Sequence, residues 1–280
     1  MSVDGVLVRS AALPSDACGW VDLVVRQPVE RADRDVLAQG RGWVRRWRVG
    51  WSCAGRRVVC GVEGLASMPA AGCAPVRRFS WRSGQRHRPG LQFMVSTGRH
   101  HGFESIAERH LLLVLDFAGG VVEVGSQPLR LEFATVAGWR WHVPDFLVVT
   151  RAGRWLVDVR PAGRVGRDDR VCFAASAEAA LVAGWGYVVV TGWRPHVLST
   201  VDALSAQRRA LADPLGVREQ LLAVAAGGPR EFAEMVGAVA LPAVARAHVL
   251  HLIWHRRLGV DLSVPLSDAS TVWPAGAAGG

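Results

Sequence analysis

Lysine is missing altogether: all 33 basic side chains of this 280-residue chain are arginine. That excludes a Schiff-base lysine, a catalytic ammonium group and the lysine of a phosphate-binding loop. Cysteine is sparse. The five (Cys18, Cys53, Cys60, Cys73, Cys172) include no CxxC pair and fit no zinc spacing, and an odd, scattered set points to reduced thiols in a cytoplasm. Long apolar runs are missing too. The longest uncharged stretch, Ala179 to Trp193, is interrupted by Gly184, Gly186 and Gly192 and is too short to span a bilayer. Asp4 and Arg9 occupy the place where a secreted chain starts its apolar run. The expectation is a soluble cytoplasmic protein with no membrane partner, and no internal repeat is visible.

What is present is an uneven charge. The formal net charge is +9, and residues 1–100 carry 16 arginines against 7 acids, whereas residues 101–280 balance at 17 and 17. Arg41 to Arg57 and Arg77 to Arg99 contain no acid. Such a segment suits a polyanion, most often nucleic acid, although a solvated basic arm has the same composition. Trp43, Trp47 and Trp51, interleaved with Arg41, Arg45, Arg46 and Arg48, suit stacking on nucleic acid; a small N-terminal core is the competing reading. Arg45, Arg46 and Arg48 are accordingly candidate DNA contacts.

Three regions follow from patterning. Residues 1–94 read as irregular and strand-rich, with a linker from Ser67 to Pro75 and a loop from Ser83 to Gly90. Residues 95–200 read as an α/β layered domain: a helix over Ser105–Phe117, strands over 121–124, 129–133, 140–149 and 155–159, a helix over Asp168–Ala183, and a buried strand over 187–190. The turn Arg151 to Arg154 makes the last two strands before that helix a hairpin. Residues 201–280 read as helices over 202–211, 217–226, 229–239 and 242–258, with Gly259 as a cap. A small hairpin over VDLSVPL and STVW follows, a winged-helix-like order.

Candidate chemistry gathers in the middle region. Asp145 (in HVPDF) and Asp158 (in WLVDVRP) lie on the two strands of one predicted hairpin, and an acid amid apolar strand residues is costly unless satisfied. Alternation puts Arg160 on the same side as Asp158. Two carboxylates on neighbouring strands suit Mg²⁺, which takes a few carboxylates plus waters and phosphate oxygens. Glu108 stands at the end of the helical stripe Leu111, Leu112, Leu115. Ser105-x-x-Glu108 is equally a capping box, and Glu104 is a rival. Arg140 and His142 precede Asp145 and are candidate phosphate contacts. His248, His251 and His255 share one helix face; a packed or DNA-facing helix is the reading preferred over zinc.

The order ESIAERHLLLVLDF, VVEVGSQPLRLEF, WRWHVPDFLVV, RWLVDVRP, AGWGYVVVTG resembles the TnsA-like endonuclease subunits of heteromeric transposases, specifically from about Phe103 to Gly192 and more loosely over GQRHRPGLQF and near the C-terminus. The resemblance implies a restriction-endonuclease-like core, a mixed sheet flanked by helices, ahead of the C-terminal helical domain. It places the catalytic acids on Glu108, Asp145 and Asp158, also the ligands of Mg²⁺ (or Mn²⁺), and the motif's cation on Arg160. Gln127 falls on a characteristic position. It further implies double-stranded transposon-end DNA, an integrase-type transposase subunit and an ATPase regulator as partners. The family position of Arg160 is usually lysine; arginine stabilises charge but cannot serve as a base. A catalytically degenerate DNA-binding scaffold of the same complex and a stand-alone repair or restriction nickase are the alternatives.

Overall fold

Val121 to Trp193 is rich in β-branched residues punctuated by glycine, and it forms the strands that carry the site. The computed structural model describes residues 11–77 and 89–276 and divides them into two compact units, residues 24–193 and residues 11–23 with 194–276. The first holds β1 (Val24–Gln27), α1 (Arg31–Arg34), α2 (Trp43–Arg46), β2 (Arg48–Cys53), β3 (Arg56–Gly61), β4 (Cys73–Ala74), β5 (Gly90–Met94) and β6 (Arg99–Phe103). It continues with α3 (Ile106–Ala118), β7 (Val121–Ser126), β8 (Arg130–Thr135), β9 (Gly138–His142), β10 (Phe146–Thr150), β11 (Gly153–Val159), α4 (Arg167–Val182) and β12 (Gly186–Trp193).

The architecture is mixed α/β. A five-stranded sheet runs β1-β12-β11-β10-β7, with β11 and β12 parallel and joined through α4. A second sheet runs β3-β2-β8-β9, with β4 added to β2; β5 and β6 form a separate hairpin. Trp47 at the end of α2 and Val49, Trp51, Leu131 and Phe133 of the second sheet share one core with Leu147 and Leu156 of the first and with Val171, Ala174, Ala175 and Ala179 of α4. The small residues of α4 let it lie close to both sheets.

Helices α3 and α4 and strands β7, β8, β11 and β12 occupy the predicted stretches to within a few residues. The expected strand over 140–149 is instead two, β9 and β10, in different sheets. Pro144 has no N–H for a ladder and restrains the residue before it, so the chain leaves one sheet there and enters the other. The tryptophans 43, 47 and 51 are a core feature: Trp47 and Trp51 are buried, and Trp47 packs against Trp43 and Phe133. Those two buried rings have no face left for a base. The sequence boundary at 94/95 does not coincide with a structural one, because β2 pairs with β8 and draws residues 24–77 into the same unit. Most of the Ser83–Gly90 loop lies outside the described residues.

In the second unit, α5 (Val197–Ser205), α6 (Val217–Ala226), α7 (Phe232–Gly237) and α8 (Pro242–Trp254) accompany a small sheet of order β13-β15-β14. Its strands are β13 (Arg230–Glu231), β14 (Leu258–Val260) and β15 (Thr271–Pro274). The helix expected from 242 to 258 ends at Trp254, where Arg256 takes a left-handed backbone (φ 58°) and Gly259 becomes part of β14 rather than a cap. Ser15 N donates to the Val260 carbonyl at 2.9 Å, so residues 11–23 are held beside that strand. Among the described residues no helix is long and apolar enough to cross a membrane.

Candidate active site

The hairpin β10–β11 sets the two aspartates. Its register pairs Phe146 with Val157, so one step further Asp145 stands opposite Asp158. Asp145 lies just ahead of β10 rather than within a strand. Its Oδ2 accepts a hydrogen bond from Val159 N at 2.7 Å, and its carbonyl accepts one from Gln127 N at 2.7 Å. Gln127 takes a left-handed backbone (φ 46°), and its buried side-chain amide has no hydrogen-bond partner among the described residues. Asp158 is buried and doubly held: Oδ1 lies 2.8 Å from His142 Nε2, and Oδ2 accepts from the Tyr187 hydroxyl at 2.7 Å.

Glu108 is contributed by the first turn of α3. The Ser105 hydroxyl accepts from Glu108 N (3.2 Å) and donates to Glu108 Oε1 (2.8 Å), while Glu108 Oε2 accepts from Glu104 N (2.7 Å). The capping geometry is therefore real, with the return bond one residue earlier than a capping box would place it. The same side chain also lines a cleft of about 900 Å³ together with His142, Asp145, Asp158, Arg160 and Arg164. Capping and cleft-lining coexist because the helix start opens directly onto the hairpin.

Burial dominates the electrostatics, and the crowding of acids adds to it. Burial, then the charges of Asp158 and Glu108, push the Asp145 carboxyl well above the usual carboxylate range. Burial and the neighbouring Glu104 push Glu108 up, against the hydrogen bonds from Glu104 N and Ser105. Burial alone would lower His142, but the charge and hydrogen bond of Asp158 outweigh it and raise its pKa to about 10. Burial and Asp158 likewise hold the Tyr187 hydroxyl protonated. A patch of buried carboxylates that resists ionisation is short of positive charge, and its hard oxygen donors suit Mg²⁺ or Mn²⁺. Among the described residues no group of three or more His, Cys, Asp or Glu side chains forms a ready-made metal cage. The fit is for an ion that keeps waters and takes part of its shell from a phosphate.

Arg160 lines the cleft, and its ion pair is with Asp169 rather than with Asp145 or Asp158. β11 ends at Val159, and the Arg160 guanidinium, 46% exposed, pairs with Asp169 at the start of α4 (3.3 Å) and donates to the Arg164 carbonyl. Arg140 pairs with Asp168 at 2.9 Å. His142 is turned inward onto Asp158 rather than outward to a phosphate. Arg45 pairs with Glu63, and Arg45, Arg46 and Arg48 are exposed and do not line the cleft. In the other unit, His251 and His255 contact the carbonyls of Gln207 and Arg208, and His248 lies 3.6 Å from Asp213, a packed-helix arrangement.

Two features were not visible in the sequence. Tyr187 is the chain's only tyrosine, and nothing in YVVV couples it to Asp158; the parallel β11–β12 pairing does so. Trp139 and Trp141 have the same composition signal as the buried tryptophans, yet they stand 63% and 51% exposed on an edge strand. No protein-family model matches the chain and no curated protein is similar to it in sequence, so the meaning of the cleft rests on its geometry and chemistry.

Proposed function

We propose that the cleft is the active site of a DNA endonuclease subunit that hydrolyses phosphodiesters at transposon ends with Mg²⁺ (or Mn²⁺). It would work beside an integrase-type transposase and an ATPase regulator in the cytoplasm. The observation that carries this reading is the convergence of Glu108 from a helix, Asp145 from the bend before β10 and Asp158 from β11 on one cleft rimmed by Arg77, Arg160 and Arg164. On this proposal residues 24–193 are a restriction-endonuclease-like core, and the helices and small sheet of residues 194–276 are winged-helix-like.

Asp145 and Asp158 would hold the divalent ion, with Glu108 beside it. Such an ion supplies Lewis-acid stabilisation of the phosphate and lowers the pKa of a coordinated water. His142 and Tyr187 hold both oxygens of Asp158 and so fix the plane of its carboxylate. Val159 N does the same for one oxygen of Asp145. Arg160, Arg77 and Arg164 give the rim a positive field for the phosphate backbone, and Arg160 contributes charge without acting as a base. Asp145→Ala is expected to abolish Mg²⁺-dependent nicking of a transposon-end plasmid while the circular dichroism spectrum is kept. Cleavage at the wild-type rate by that variant would remove the assignment.

A non-catalytic DNA-binding scaffold is the second reading. It draws on the pairing of Arg160 with Asp169 and on the two hydrogen bonds that already occupy Asp158. Wild-type protein that binds the ends and never nicks them in Mg²⁺ or Mn²⁺ would establish it.

A further inference from the structure

The sheet β3-β2-β8-β9 has a second, outward face. Its register places Arg57 and Val59 of β3, Arg48 of β2, Arg130 and Glu132 of β8, and Trp139 and Trp141 of β9 on one side. Trp139 and Trp141 are 63% and 51% exposed, and Val59 is exposed on the far edge strand of the same face. Large aromatics left in water on adjacent same-face positions are the informative exception to burial. Three arginines share this face with one carboxylate, Glu132, which Arg130 holds at 3.1 Å. The Arg130 guanidinium lies 4.7 Å from the centre of the Trp141 ring.

The face is continuous with the cleft. Trp141 is part of the cleft lining, and the next residue, His142, points to the opposite side of β9 and bonds Asp158. Trp139 stands two residues further from the cleft along the strand. Same-face neighbours in a strand are about 6.8 Å apart, twice the 3.4 Å step of stacked bases, so the two rings can each hold a base or clasp one between them. Aromatic rings with arginines on the neighbouring strands suit unpaired nucleotides, whose base faces are open and whose phosphates are charged. A closed duplex offers no base face to a flat sheet.

We propose that this face is a platform for unpaired DNA nucleotides flanking the scissile phosphate, with Trp139 and Trp141 as stacking residues and Arg48, Arg57 and Arg130 as phosphate contacts. The link to a scissile phosphate rests on the endonuclease reading; the affinity for unpaired DNA does not. Binding is therefore measured in EDTA by fluorescence anisotropy, using a blunt duplex and the same duplex with an unpaired tail of about six nucleotides.

The full chain is expected to prefer the tailed probe. Trp139→Ala/Trp141→Ala is expected to weaken that binding about tenfold or more and to change blunt-duplex binding less than about twofold. The corresponding double phenylalanine variant, which keeps a ring at each position, is expected to recover most of the loss. Equal affinity of the alanine variant and wild type for the tailed probe would overturn the proposal. So would an equal loss on both probes, which would make the face a duplex contact. A variant that binds DNA normally but changes its mass by light scattering would make it a protein-docking face, again against the proposal. If the tail effect holds and wild type never cleaves, the nuclease reading fails alone; cleavage without a tail effect has the opposite meaning.

Discussion

Replacing Asp158 by asparagine removes the charge that sustains His142 as an imidazolium, and the consequence is a change in how stability depends on pH. His142 rises from 6.5 to about 10 in the folded chain. A histidine whose folded pKa is raised stabilises fully below its unfolded value and loses that contribution as pH climbs through the folded one. The window is therefore from about 6.5 to about 10. At about 1.4 kcal/mol per unit the full shift corresponds to about 5 kcal/mol. The His142 side chain is 20% exposed and lines an open cleft, so solvent screens the pair and brings the expected contribution to about 2–3 kcal/mol. Asp145 acts in the same direction, because Asp158 also raises its pKa and a carboxyl held above its unfolded value loses stability as pH climbs. In EDTA, wild type should exceed Asp158→Asn by about 5–10 °C in Tm near pH 6.5. That margin should shrink as pH approaches about 9.5, still below the range where an unfolded tyrosine ionises. Differential scanning fluorimetry across this range, with urea unfolding at its ends, measures the margin. A margin that stays constant from pH 6.5 to 9.5 would refute the ion pair as drawn.

Arg160→Lys is expected to keep or raise nicking activity, since a lysine adds a possible proton acceptor; complete loss of activity would show a role specific to the guanidinium. Saturating Mg²⁺ should raise the Tm of the wild type, by about 3 kcal/mol of stabilisation at one hundred times its Kd, and leave Asp145→Ala unmoved. An equal shift in both would place the ion elsewhere. Gly186 lies against the Trp155 ring in the β11–β12 pair, and a Cβ there would overlap it. Gly186→Ala should cost about 2–3 kcal/mol in urea unfolding, and Gly163→Ala, with nothing within 4 Å of the new methyl, close to none.

How much of this was legible differs element by element. Helix α3 was readable because Leu111, Leu112 and Leu115 repeat at helical spacing and Gly119 stops it in a left-handed turn (φ 70°). The hairpin β10–β11 was readable because Gly153 takes φ 148° in the turn and apolar residues run on both sides. Once that register is known, the approach of Asp145 to Asp158 follows from the two-residue period of a strand. The orientation of Arg160 was not readable. Strand alternation continues only as far as the strand, and β11 stops one residue short of it, where Asp169 of α4 takes the guanidinium.

The aromatic residues show the same division most sharply. A tryptophan's sequence neighbours say little about its burial: Trp47 and Trp51 sit among arginines and are core, whereas Trp139 and Trp141, on β9, face water. Local patterning determined the elements, the hairpin and the acids upon it, because these depend on residues within about twenty positions of one another. Only the tertiary structure decided that β2 pairs with β8, that Pro144 sends the chain from one sheet to another, and that Tyr187 and His142 grip Asp158. Those contacts join strands distant in sequence, and their partners are selected by the shape of the shared core rather than by any local propensity.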